Sequence, residues 1–257
     1  MKYVLTNWKM YTTLSQDVTI CTAVQRGLQD LAAAPATSSL PTVIVCPPFP
    51  SLTTLAALLD RRHLRLGAQN CHWASAGAYT GEISAAMLAG VVDYVLLGHS
   101  DRRAAGETDE LIARKVRAAA VAGLTPVLFV GEDTPTGAAA DLAEQRLIRG
   151  LAELDLDQHG VLVVYEPTWA IGADAPADPG QVRHVVAQLK QRLTTLGAGS
   201  AEIIYGGTVT ADNLGQFLGI ELLDGVGATR AGLVDREFLR IVAQVAAAGL
   251  AARGPLS

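Results

Sequence analysis

Glu166 stands between the apolar run Val161-Leu162-Val163-Val164-Tyr165 and Pro167. The run is β-branched and reads as a strand buried on both faces. Proline cannot donate to a sheet ladder, and it keeps the preceding residue extended. The strand therefore stops where the carboxylate sits, and a carboxylate there can face a cleft and act as a general base. A solvated acid at a strand end is the competing reading, and these residues alone leave both open. Trp169-Ala170-Ile171-Gly172 follow, apolar yet in a connection. A hydrophobic loop ending in glycine suits a lid that closes over a cleft and expels water.

Two further groups could share that cleft. Lysine is scarce (Lys2, Lys9, Lys115, Lys190), and Lys9 alone directly follows the end of an apolar run. It is either a surface lysine or a fixed cation for an anionic substrate and its developing charge. His99 follows Leu96-Leu97-Gly98 and could start a short helix with Ser100 and Asp101. Helix-terminal N–H groups favour the neutral imidazole, which can donate to a carbonyl oxygen and relay a proton. A lone histidine is more often structural. In Gly206-Gly207-Thr208 the glycines let backbone N–H groups approach an anion, although such a pair is commonly just a turn. Cys71 and His72 lack further ligands at metal-binding spacing.

These groups need a frame. Short apolar runs at 3–6, 43–46, 64–68, 94–97, 126–130, 161–165, 202–205 and roughly 222–226 alternate with helical stretches. The helices are expected near 16–31, 52–59, 84–89, 110–122, 138–154, 179–196, 211–218 and 236–248. Such an alternation predicts an α/β chain folded as a (β/α)8 barrel, one domain over residues 1–257. A doubly wound sheet is the alternative, but it would usually show a Gly-rich phosphate loop after the first strand. In the barrel, functional groups lie at the C-terminal ends of the strands, where Lys9, His99 and Glu166 all fall.

Composition narrows the partners. With 25 acidic against 20 basic residues, a net charge of −5 and no basic stripe, nucleic acid is not expected. No apolar run is long enough to span a membrane, and the N-terminus lacks a signal peptide's pattern. Three widely spaced cysteines, an odd number, suit a reducing cytoplasm rather than a disulfide framework.

The stretch Tyr165-Glu166-Pro167-Thr168-Trp169-Ala170-Ile171-Gly172 resembles the catalytic-glutamate and lid motif of the triosephosphate isomerase family. The likeness extends from Asn7 to Gly232, in order. It implies a TIM barrel that interconverts dihydroxyacetone phosphate and D-glyceraldehyde 3-phosphate through an enediolate, without metal or cofactor. It implies Glu166 as base, His99 as proton relay and Lys9, positioned by Asn7, as the cation. It also implies a phosphate held by Gly172, Gly207, Thr208 and the strand 8 positions Thr229 and Arg230. The loop Gly77-Ala78-Tyr79-Thr80-Gly81-Glu82 would dock into a second copy, making a homodimer.

Several positions depart from the family's pattern. Asp101 replaces a glutamate and is one methylene shorter, which puts its reach to Lys9 in question. The lid continues Ala173-Asp174-Ala175-Pro176 instead of Thr-Gly-Lys, and Thr229-Arg230 replace two glycines. The resemblance also implies a rival: some relatives acting on four-carbon ketose phosphates carry an arginine there and lack the lid lysine, so a tetrulose phosphate is the rival substrate. A Schiff-base aldolase using Lys9 and a catalytically impaired sugar-phosphate-binding barrel are rivals of other classes. Glu132 is read as structural, and Arg102 and Arg103 either as partners of loop carboxylates such as Glu82 or as solvated side chains.

Overall fold

A computed structural model describes residues 1–34, 39–135, 137–173, 175–228 and 230–251. Eight parallel strands close into a barrel in sequence order. They are β1 (Tyr3–Asn7), β2 (Thr42–Cys46), β3 (Leu64–Ala68), β4 (Tyr94–Leu97), β5 (Thr125–Val130), β6 (Leu162–Tyr165), β7 (Glu202–Tyr205) and β8 (Gly225–Gly227). Helices α1 (Leu14–Ala33), α2 (Phe49–Leu58), α3 (Ala85–Leu88), α4 (Ser100–Ala104) and α5 (Asp109–Val121) lie between successive strands of the first half. The second half carries α6 (Ala139–Gly150), α7 (Pro179–Thr195), α8 (Gly215–Leu218) and α9 (Asp235–Ala251).

Alternation along the strands builds two apolar layers. Leu5, Ile44, Cys46, Leu96, Val127, Phe129, Leu162, Val164 and Ile204 fill the barrel's interior. Val4, Val43, Val45, Leu66, Val95, Leu128 and Val163 belong to the larger layer shared with the helices. The strands are therefore buried on both faces, as their unbroken apolar runs require.

The eighth strand differs from the expectation. It begins at Gly225 rather than near 222, because Leu222 is exposed and Leu223 N–H closes a turn on Ile220 O at 3.0 Å. Closure also requires a residue without a side chain: a Cβ on Gly225 would lie 2.3 Å from Tyr3 O of β1. The stretch near 211–218 is helical only over α8, and α4 adds a short helix after β4.

Candidate active site

Each chemical side chain leaves the C-terminal end of a strand through a local device. After β1, Lys9 adopts φ +49°, a strained value for a residue with a Cβ. The turn is held from both sides: Lys9 N–H donates to Asn7 Oδ1 at 2.9 Å, and Gln69 Nε2 donates to Lys9 O at 2.8 Å. Asn7 thus sets the backbone from which the ammonium projects. After β4, Gly98 takes φ +74° and turns the chain into α4, with His99 as its N-cap. After β6, Glu166 N–H donates to Val130 O at 2.7 Å, and Gly131 makes room. A Cβ on Gly131 would stand 2.0 Å from Glu166 O.

The three groups gather at one mouth of the barrel. Lys9 Nζ lies 3.0 Å from Asp101 Oδ2, which is 3.6 Å from His99 Nδ1. His99 Nε2 lies 3.1 Å from Glu166 Oε1, and Ser100 N–H donates to Glu166 Oε2 at 3.0 Å. The shorter Asp101 therefore still reaches the lysine. Asp101 N–H donates to His99 Nδ1 at 3.0 Å, so that nitrogen carries no proton. The proton sits on Nε2, which donates toward Glu166, as a neutral imidazole would. His99 and Glu166 are each only 5% exposed. Burial pushes the Glu166 carboxyl above its ordinary 4.5, and His99, Ser100 N–H and Lys9 pull it down without cancelling that rise.

The lid meets the ends of β7 and β8. Thr208 Oγ1 donates to Ala170 O at 2.7 Å, and Arg230 Nη2 donates to Gly172 O at 2.8 Å. Ala177 N–H donates to Tyr205 OH at 2.9 Å. Gly207 lets Tyr205 take that position, since a Cβ there would stand 2.1 Å from the phenol oxygen. Gly172, Gly207, Thr208 and Arg230 are thus gathered around the lid. Thr229 lies outside the described residues.

Glu132, read as structural from the sequence, has structural contacts here. Its carboxylate is fully buried, and Oε1 accepts from Tyr165 OH at 3.0 Å, Trp169 Nε1 at 2.9 Å and Gln181 Nε2 at 3.1 Å. It ties the lid's first hinge to β6 and α7. The signal available was its place directly after Gly131 at the end of β5. The expected partner of Arg102 and Arg103 is corrected: Arg102 pairs with Glu107 at 2.7 Å and Arg103 with Asp109 at 2.6 Å. Glu82 lies in the projecting β3 loop, whereas Glu107 and Asp109 follow α4 directly. No group of three or more metal-binding side chains occurs among the described residues.

A closed eight-stranded α/β barrel with a carboxylate against an imidazole and an ammonium beside them at one mouth defines a barrel of the acid–base enzyme class. The family model described as triosephosphate isomerase matches residues 2–245. A triosephosphate isomerase of Herpetosiphon aurantiacus is 40% identical over 246 residues, 92% of this chain and 96% of that one. One from Chloroflexus aurantiacus is 37% identical over 246 residues, with the same coverage. The crystal structure of the triosephosphate isomerase of Bartonella henselae superposes with a TM-score of 0.80 at 27% identity, covering 93% of this chain and 97% of that one. The chain belongs to the triosephosphate isomerase family.

Proposed function

We infer that the protein is a triosephosphate isomerase, interconverting dihydroxyacetone phosphate and D-glyceraldehyde 3-phosphate. The observation that carries this reading is the gathering of Lys9, His99 and Glu166 at the ends of β1, β4 and β6, with His99 Nε2 on Glu166 and Asp101 holding His99 through its N–H and Lys9 through its carboxylate. Glu166 takes the proton from the carbon beside the carbonyl and returns it to the neighbouring carbon. His99, with its proton on Nε2, donates to the carbonyl oxygen and relays protons between the two oxygens. Lys9 stabilises the negative charge that develops on the enediolate, in a site where burial makes such charge pairing strong. Hydrogen leaves one carbon and returns at the next within one molecule, so the reaction needs no external oxidant and no electron sink.

Glu166 and His99 bond to each other in the ligand-free protein, so the carboxylate must swing off the imidazole when substrate enters. Gly172, Gly207, Thr208, Thr229 and Arg230 hold the phosphate beneath the lid. Excluding water protects the phosphorylated enediolate from losing phosphate.

The same reading makes the protein a single-domain homodimer of the cytoplasm. The projecting loop around Thr80 docks on a second copy, and the exposed Met10, Tyr11 and Tyr79 supply apolar surface for it. Three buried, unpaired cysteines fit a reducing compartment. No helix among the described residues is long and apolar enough to cross a membrane.

A coupled assay of both triose phosphates, run beside D-erythrulose 4-phosphate, tests the reading. A higher kcat/KM on the triose is expected. Preference for the tetrulose phosphate would replace the substrate, and absence of turnover on either would remove the isomerase.

A further inference from the structure

We propose that Arg230 is a specificity-determining positioning residue whose guanidinium holds the lid through Gly172 and exchanges that bond for the substrate's phosphate. The proposal rests on the isomerase reading only for where the phosphate sits. Its first support is the reach of the contact. Arg230 Nη2 donates to Gly172 O at 2.8 Å across 58 positions of sequence, joining the loop after β8 to the lid after β6.

The two ends of this bond differ in anchorage. Ala228 and Gly232, on either side of Arg230, are fastened to β1 and the turn after it. Ala228 N–H donates to Leu5 O at 2.8 Å, Trp8 Nε1 donates to Gly232 O at 2.9 Å, and a Cβ on Gly232 would meet Thr6 Oγ1 at 1.9 Å. Arg230 therefore projects from a fixed base. Gly172, by contrast, has φ +70°, and a Cβ on it would stand 2.7 Å from Arg230 Nη2. The guanidinium lies against a peptide that has no side chain to obstruct it or to resist turning.

The exchange follows from bond strength. A guanidinium presents five N–H donors in a planar fork. Against a neutral carbonyl it makes one hydrogen bond charged on one side only. A phosphate offers oxygens that the fork can meet in two parallel bonds charged on both sides, which is roughly twice as strong. A phosphate arriving at the ends of β7 and β8 therefore captures the guanidinium and releases Gly172 O. That frees the peptide to reorient its neighbouring N–H groups toward the same anion. Two ties hold the lid meanwhile, from Thr208 to Ala170 O and from Ala177 to Tyr205 OH. Ligands without a phosphate leave Arg230 on the lid, and this is the source of discrimination.

The test combines kinetics with a direct view of the lid. Trp169 lies in the lid and is one of three tryptophans, so fluorotryptophan NMR with a Trp169→Phe variant for assignment follows it. Inorganic phosphate should shift the Trp169 resonance in the wild type. In Arg230→Ala the concentration needed should rise, and KM for glyceraldehyde 3-phosphate should rise roughly 10- to 100-fold, the worth of a charge-assisted bond. kcat should fall far less, and Arg230→Lys should recover part of the loss. An Arg230→Ala protein with unaltered KM and an unaltered phosphate titration of Trp169 overturns the proposal. If the wild type fails to turn over triose phosphates, the isomerase reading falls. An Arg230-dependent Trp169 titration by inorganic phosphate would still support the exchange.

Discussion

His99 Nε2 stands 3.1 Å from Glu166 Oε1, so the proton relay and the base occupy each other before any substrate is present. The contact keeps both groups satisfied in a buried site, where an unpaired carboxylate would be costly. It also fixes how loss of the base will read out. Glu166→Gln keeps the size of the side chain and one oxygen to accept from His99 Nε2–H or Ser100 N–H, leaving the other donor against its NH2, and it loses the acceptor for a carbon-bound proton. In the coupled assay kcat should fall about 10²- to 10⁴-fold, the usual worth of a positioned base, with a much smaller change in KM. Turnover within a few-fold of wild type would take the base assignment away from Glu166.

Burial raises the Glu166 carboxyl above 4.5 in the folded state. For activity, the acid limb of kcat/KM should then lie above the pH at which an ordinary carboxylate titrates. For stability, the sign follows from the same shift. A folded-state value above the unfolded one means that this group's contribution is fully present below the unfolded value. It is lost as pH rises through the folded value. Glu166→Gln has no such loss, so relative to wild type it should gain stability between a pH below about 4 and neutrality. Urea midpoints at the two ends measure this. A difference that stays constant or shrinks with pH would contradict the buried, raised carboxyl.

Local backbone markers drew the candidate side chains out of the sequence, while their proposed roles came from the family resemblance. Pro167 ends the strand at Glu166, Gly98 turns the chain into His99, and Asn7 caps the turn at Lys9. The frame was legible where apolar runs were continuous. It slipped at β8, where a two-leucine turn mimicked the strand and the true strand is a bare Gly-Val-Gly needed for close approach to β1. What sequence did not disclose was long-range pairing. The convergence of Tyr165, Trp169 and Gln181 on Glu132, the grip of Arg230 on Gly172 and the choice of Glu107 and Asp109 by the two arginines depend on where distant loops meet.

Glu132 makes the first hinge of the lid a hydrogen-bonded joint. Glu132→Leu would leave Tyr165 OH without its nearest acceptor and Trp169 Nε1–H without its partner. Leaving a buried donor unmet costs about 1–3 kcal/mol. The variant should lose stability of that order in urea denaturation. Its kcat should also fall roughly tenfold as the lid loses its fixed start, on the scale of effects seen when positioning groups shift. Glu132→Gln keeps an acceptor and should retain more of both. Equal stability of Glu132→Leu and wild type would show that the joint contributes nothing.

Gly131 is the tightest point between the base and its neighbouring strand. An added methyl would lie 2.0 Å from Glu166 O and 3.2 Å from Pro167 N, both backbone atoms that cannot rotate away. Either β5 or β6 must then shift, and overpacking of this kind costs about 1–3 kcal/mol or more. The shift also moves the base, so Gly131→Ala should lose kcat as well as stability. Gly137→Ala supplies the comparison: nothing lies within 4 Å of the added methyl, and it should leave both quantities near wild type. Denaturant midpoints and kcat for the pair separate crowding from a general intolerance of alanine. If Gly131→Ala were as stable and as active as Gly137→Ala, the close passage of β5 against the Glu166 carbonyl would not be what sets the position of the base.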